Sequence, residues 1–136
     1  MTRLRARLRS ESRSTEGWTT SQLSALARIV REGPLTASAL AVAEHVRPQS
    51  IAEIVAALKA GNLVAATPDP NDGRKTLLSA TAAGRKLVRS VTELREAWLT
   101  RAIETVIDDA RRHELTKAIA LLNALAECDP DIAPRA

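Results

Sequence analysis

The stretch Leu63–Gly84, LVAATPDPNDGRKTLLSATAAG, constrains this chain more than any other. Two short β-type runs, at about 63–67 and 75–79, flank the turn cluster Pro68-Asp69-Pro70-Asn71-Asp72-Gly73, and two cations, Arg74 and Lys75, follow at once. A hairpin with a cationic arm, placed directly after two short helices, predicts a winged helix: a mainly α fold with a small β-hairpin wing. That layout suits duplex DNA, with one helix in the major groove and the hairpin arm beside it.

The rest of the chain reads as helices on either side of the hairpin. Residues 2–13, TRLRARLRSESR, place Leu4 and Leu8 at i and i+4, a narrow apolar stripe on a basic helix. A polar loop over 14–18 follows. Thr19 offers an N-cap, and Gln22 three residues on completes a capping box. Leu23, Leu26, Ala27 and Val30 then recur at helical spacing, predicting a second helix to about Arg31 that Gly33-Pro34 ends. Thr36 caps a short, Ala-rich third helix to about Glu44. Arg47-Pro48 opens a fourth, with Ile51, Ile54, Val55 and Leu58 as its apolar stripe and Gly61-Asn62 as its stop. A fifth helix runs from near Ala82 to about Val106, ~37 Å at ~1.5 Å per residue, with Leu87, Val91, Leu94 and Trp98 as a packing seam. The last helix starts near Asp109 and turns Leu115, Ile119, Leu122 and Leu125 inward. The tail 129–136 holds two prolines and is expected to fray.

This order divides the chain into an N-terminal helix and loop (1–19), a winged helix-turn-helix (20–84), a long helix with a C-terminal helix (85–128) and a tail (129–136). The terminal helices carry apolar seams with no evident partner inside the chain, so they are expected to form a helical dimerisation region with a second copy. Leu4, Leu8, Leu115, Ile119, Leu122 and Leu125 are the candidate interface residues.

Composition narrows the function. No apolar run approaches the ~20 residues of a membrane-spanning helix. The Arg-rich start lacks the apolar core of a signal peptide. The single cysteine, Cys128, cannot form an internal disulfide, which fits a reducing cytoplasm. Residues 1–13 carry five arginines against one glutamate, whereas residues 14–136 carry 15 basic and 15 acidic residues. Basicity is therefore an N-terminal property. Phe and Tyr are absent and only Trp18 and Trp98 are aromatic, so platforms for stacking single-stranded bases are nearly excluded. His45, His113 and Cys128 have no metal-ligand spacing, and no nucleophile–base pair, phosphate loop or carboxylate pair stands out. Asp108-Asp109 reads as a helix cap. Neither an enzyme nor a cofactor is expected.

At ~100° per residue, the side of the fourth helix opposite its apolar stripe holds Gln49, Glu53, Ala56 and Ala60, with Ser50, Ala52 and Ala57 flanking. Small residues there let a helix approach base edges. Gln49 suits adenine bidentately, Ser50 a base or a phosphate, and Glu53 a cytosine amine, unless it repels phosphate instead. Arg74 suits a narrow minor groove, with Asp72 placed to orient it through a charge-assisted bond. Lys75 beside it and Arg47 at the start of the helix complete the DNA-binding candidates. Arg85, Lys86 and Arg89 suit phosphates or a solvated face equally, and Arg3, Arg5, Arg7 and Arg9 suit DNA steering or the flank of a dimer helix.

These segments resemble the MarR family of transcriptional regulators, particularly its actinobacterial members. The pieces that match are SQLSAL in the second helix, GPLTASALA leading the third, VRPQSIAEIVAALKAGNLV in the fourth and DPNDGRKTLLSATAAGR across the hairpin, within a likeness over about residues 2–127. The resemblance implies a homodimer on a pseudo-palindromic operator, usually as a repressor. It also implies a small, often aromatic or phenolic, effector in the crevice between the DNA-binding and dimer regions. Arg74 matches the family's wing arginine, and Gln49 and Ser50 match its groove-facing positions. The chain departs in a short first helix, in Gly73 where many members carry another arginine, and in few aromatics to line a pocket. The expectation is thus a cytoplasmic, dimeric winged-helix transcription factor, nucleoid-associated when bound to DNA. Its rival is a protein-interaction winged helix without DNA binding, which the neutral charge of residues 14–136 and Glu53 on the groove face would suit.

Overall fold

In the computed structural model, which describes residues 2–11 and 17–128, the elements run α1 (Thr2–Ser10), α2 (Thr20–Glu32), α3 (Ala37–Ala43), α4 (Pro48–Ala60), β1 (Val64–Pro68), β2 (Thr76–Ala80), α5 (Ala82–Val106) and α6 (Asp109–Glu127). The expected order is met. The expectations for Ser12, Arg13, the first part of the polar loop and the tail lie outside the described residues. Helix α1 ends at Ser10, with the Ser10 hydroxyl donating to the Arg7 carbonyl at 2.7 Å. The chain forms two compact units, Met1–Glu96 and Ala97–Ala136.

Local chemistry sets the element ends. The Thr19 hydroxyl accepts the Gln22 N–H at 3.1 Å while the Gln22 side chain accepts the Thr19 N–H at 2.9 Å, the reciprocal capping box. Thr36 caps α3 by accepting the Ala39 N–H at 3.1 Å. Helices α3 and α4 both finish in a Schellman motif, with His45 (φ 54°) and Asn62 (φ 57°) in the left-handed position. In the first, Val46 N–H donates to Ala41 and His45 N–H to Val42. In the second, Leu63 N–H donates to Leu58 and Asn62 N–H to Lys59.

The second of these motifs explains a one-residue correction to the hairpin. Leu63 spends its N–H on the helix end and its carbonyl on the Thr81 N–H, so the ladder starts at Val64. The strands pair antiparallel in the register Val64↔Ala80 to Pro68↔Thr76. Leu35 adds a single bridge to Leu78 on β2.

One core lies among α2, α3, α4 and the hairpin: Ala25, Leu26, Ile29, Leu40, Ala41, Ile51, Val55, Leu58, Leu63, Val64, Leu78 and Ala80. The α4 stripe is as expected, with Ile54 only half-buried. The α2 stripe is rotated. Ala25, Leu26 and Ile29 face the core, whereas Leu23 and Ala27 line a separate cleft, because α2 packs on two sides. Helix α6 contributes no buried residue, so the expected inward row is not inward within one chain.

Candidate nucleic-acid interface and arginine cleft

Helix α3, the turn Glu44–Arg47 and helix α4 form a helix-turn-helix, and the β1–β2 hairpin follows as the wing. The apolar face of α4 is spent on the core, which forces the opposite face into solvent. Gln49, Ser50, Ala52, Glu53, Ala56 and Ala60 are all exposed there. Arg47 is the N-cap residue of α4, is exposed, and makes no side-chain cap bond, leaving its guanidinium directed to solvent at the helix start.

The wing loop is closed by its own backbone. Asp69 N–H donates to the Lys75 carbonyl at 2.9 Å and Lys75 N–H to the Asp72 carbonyl at 3.0 Å. The Asp69 carboxylate accepts from Asn71 N–H at 2.8 Å, and the Asp72 carboxylate accepts from Arg74 N–H at 3.1 Å. Asp72 therefore shapes the turn beneath Arg74 and does not hold the guanidinium as expected; an Asp side chain readily accepts the backbone N–H two residues on, the Asx turn. Arg74 and Lys75 are both exposed. Gly73 has no neighbour within 4 Å of where a Cβ would stand, so nothing in the fold demands glycine there.

Linear spacing gave no hint of the polar cluster behind the reading helix. The Glu44 carboxylate accepts from the Ser24 hydroxyl at 2.9 Å and from Arg28 Nε at 2.9 Å, while Arg28 also reaches Glu32 at 3.0 Å. The Arg28 pKa is raised, chiefly by its hydrogen bond to Glu44 and against the opposing effect of burial.

A concavity of about 310 Å³ opens between α1, α2 and the first half of α5. Leu8, Leu23, Val88 and Val91 form its apolar side, and Arg5, Arg9, Arg31 and Arg95 its cationic side. The Nε of Arg95 is buried and has no hydrogen-bond partner among the described residues. Its pKa is lowered, first by burial and then by the charge of Arg9. Neither tryptophan lines this cleft. Trp18 instead lies against Gly61 at the end of α4, where an added Cβ would strike its ring.

Of the candidate interface residues, Leu4, Ile119, Leu122 and Leu125 are exposed, Leu115 is half-buried, and Leu8 is half-buried in the arginine cleft. Leu121 is exposed too and escaped the sequence reading. Among the described residues there is no cluster of three metal-ligating side chains, and no helix is long and apolar enough to cross a membrane.

Fold and exposed reading face together define a winged helix-turn-helix protein. Comparison with known proteins carries this to a family. Residues 16–75 match the MarR family profile. An HTH-type transcriptional regulator of Mycobacterium bovis is 37% identical over 110 residues, 81% of this chain and 76% of that one. The crystal structure of RV1404 from Mycobacterium tuberculosis superposes with a TM-score of 0.83 at 30% identity, covering 95% of this chain and 89% of the other. A MepR mutant of S. aureus, solved bound to an oligodeoxyribonucleotide, shares the fold at 14% identity, with a TM-score of 0.68 over 93% of this chain and 91% of its own. The chain belongs to the MarR family of winged helix-turn-helix transcriptional regulators.

Proposed function

We propose that this regulator is a cytoplasmic homodimeric repressor that reads a pseudo-palindromic duplex operator and acts by binding, not catalysis. The observation that carries the reading is the exposed α4 face, Gln49, Ser50, Glu53, Ala56 and Ala60, on the same folded unit as the Arg74–Lys75 wing turn. A small-residue helix face can enter the major groove, where base edges are distinguishable, and an arginine on a thin loop suits the narrower groove beside it. The MepR complex supports the same use of the fold.

Paired substitutions test the division of labour. Arg74→Ala should weaken binding to many sequences alike and flatten the slope of log K against log salt by about one unit, as for one lost cationic contact. Gln49→Ala should cost about 1–3 kcal/mol on the cognate site and relax preference at one position per half-site, with the slope nearly kept. Both residues are exposed, so thermal melts should match the parent's. Unchanged operator affinity in Arg74→Ala at physiological salt would favour a protein-binding role, the reading that Glu53 on the exposed face also suits.

The arginine cleft supports control by a small effector. Its volume of about 310 Å³ suits a compact ligand. Its lining offers guanidinium groups and aliphatic walls without an acidic or aromatic side chain, so a small aromatic acid would be held by charge and apolar contact. Calorimetry with benzoate-type acids, paired with gel shifts, is expected to show binding that lowers DNA affinity and that Arg95→Ala weakens. Binding that leaves DNA affinity untouched would argue against regulation through this cleft.

A further inference from the structure

We propose that the Ser24–Glu44–Arg28 cluster is a positioning device for the reading helix, setting DNA affinity without touching DNA. The inference rests on the DNA-binding reading of α4. Glu44 is the C-cap residue of α3, and Pro48, which opens α4, is four residues on. Between them the chain passes through His45 in the left-handed region and Arg47, which provides no side-chain cap. The turn that aims Gln49 and Ser50 thus has no side-chain cap at the α4 end.

Its anchor is behind it. The side chains of Glu44 and Arg28 are 14% and 24% exposed, and Glu44 binds α2 with both oxygens, one to Ser24 and one to Arg28. Glu32 fixes the far side of the same guanidinium at 3.0 Å. A two-point attachment of a carboxylate restricts both the position and the rotation of the turn it ends. Core packing of Ile51, Val55 and Leu58 secures α4 as a body. The cluster instead secures the first turn of α4, where the base-reading candidates sit.

The alternative for an acidic group near a DNA-binding surface is direct repulsion of phosphate, and the two ideas differ in sign. Removing the charge while keeping the shape, by Glu44→Gln, should raise affinity if Glu44 acts by repulsion. If Glu44 positions α4, affinity should fall.

The experiment uses the intact protein and the best duplex recovered from it by in vitro selection, beside a scrambled duplex. Glu44→Gln and Arg28→Met are each expected to lower affinity for the selected duplex about tenfold, the scale of one charged hydrogen bond. Affinity for the scrambled duplex and the salt slope should stay at the parent's values, because no phosphate contact is lost. The reversed pair Arg28→Glu with Glu44→Arg, made together with Glu32→Gln so that residue 28 does not face a like charge, should recover part of the loss. Should either single variant fail to fold, Ser24→Ala removes one hydrogen bond from an exposed residue and should give a smaller loss in the same direction. Parent-like or higher affinity, or equal losses on both duplexes, would overturn the proposal. A parent protein that selects no duplex would instead overturn the DNA-binding reading beneath it.

Discussion

Replacing Ile119 and Leu122 together by aspartate is expected to leave a folded monomer that no longer holds duplex DNA at physiological salt. Helix α6 has no fully buried residue within its own chain, and Ile119, Leu122 and Leu125 are 48%, 46% and 72% exposed. Leu121 widens the patch. An apolar row of this length on one helix is rarely left in water and marks a contact surface. A second copy would cover it in an interface of ~2,000 Å² or more in total, typical of obligate dimers. An unpaired carboxylate at the centre of such a contact costs several kcal/mol, and symmetry doubles every insult. On the proposed reading, a monomer would engage one half-site where a dimer would engage two. Light scattering and fluorescence anisotropy on the double variant check both halves of the expectation, with circular dichroism to confirm the fold. A variant that still scatters as a dimer would place the interface elsewhere.

Gly84→Val is expected to destabilise the winged unit by about 3 kcal/mol, near the upper end for overpacked cores, and to lower the melting midpoint by roughly 10 °C. Gly84 is buried in the first turn of α5, and a Cβ there would collide with the Leu63 carbonyl and crowd Leu26 Cδ1 at 3.2 Å. Neither partner can give way cheaply. The Leu63 carbonyl accepts the Thr81 N–H at 3.0 Å, and Leu26 is fully buried. Thr81 locks the same corner: its hydroxyl donates to the Asn62 carbonyl at 2.7 Å and accepts the Gly84 N–H at 3.0 Å. Gly73→Ala is the matched control, at a position with open space, and should melt near the parent. Coincident melts for Gly84→Val and the parent would mean that α5 does not start so close to the end of α4.

Much of the fold was legible because it is written in local chemistry. Caps at Thr19 and Thr36, Pro48 in the first turn of α4, and Gly61-Asn62 at its end act within four residues of themselves, so spacing alone locates them. The long α5 helix and the wing turn were legible for the same reason. The exposed face of α4 was legible because a helix with one apolar stripe must present the other side to water, which brought Gln49, Ser50 and Glu53 to the surface together.

What only the tertiary structure decided lies in contacts between residues distant along the chain. Arg28 and Glu44 are 16 positions apart, and no periodicity links them; they meet because α3 packs across α2. The arginine cleft draws on α1, α2 and α5, so its charge shows only when the three helices are placed together. The two sides of α2 follow the same logic. Leu23 and Leu26 both read as one stripe by spacing, yet they serve different surfaces, since a helix with neighbours on two sides has no single inside. Local hydrogen bonding determined where this protein's elements begin and end, and long-range packing determined which of its charges stand together.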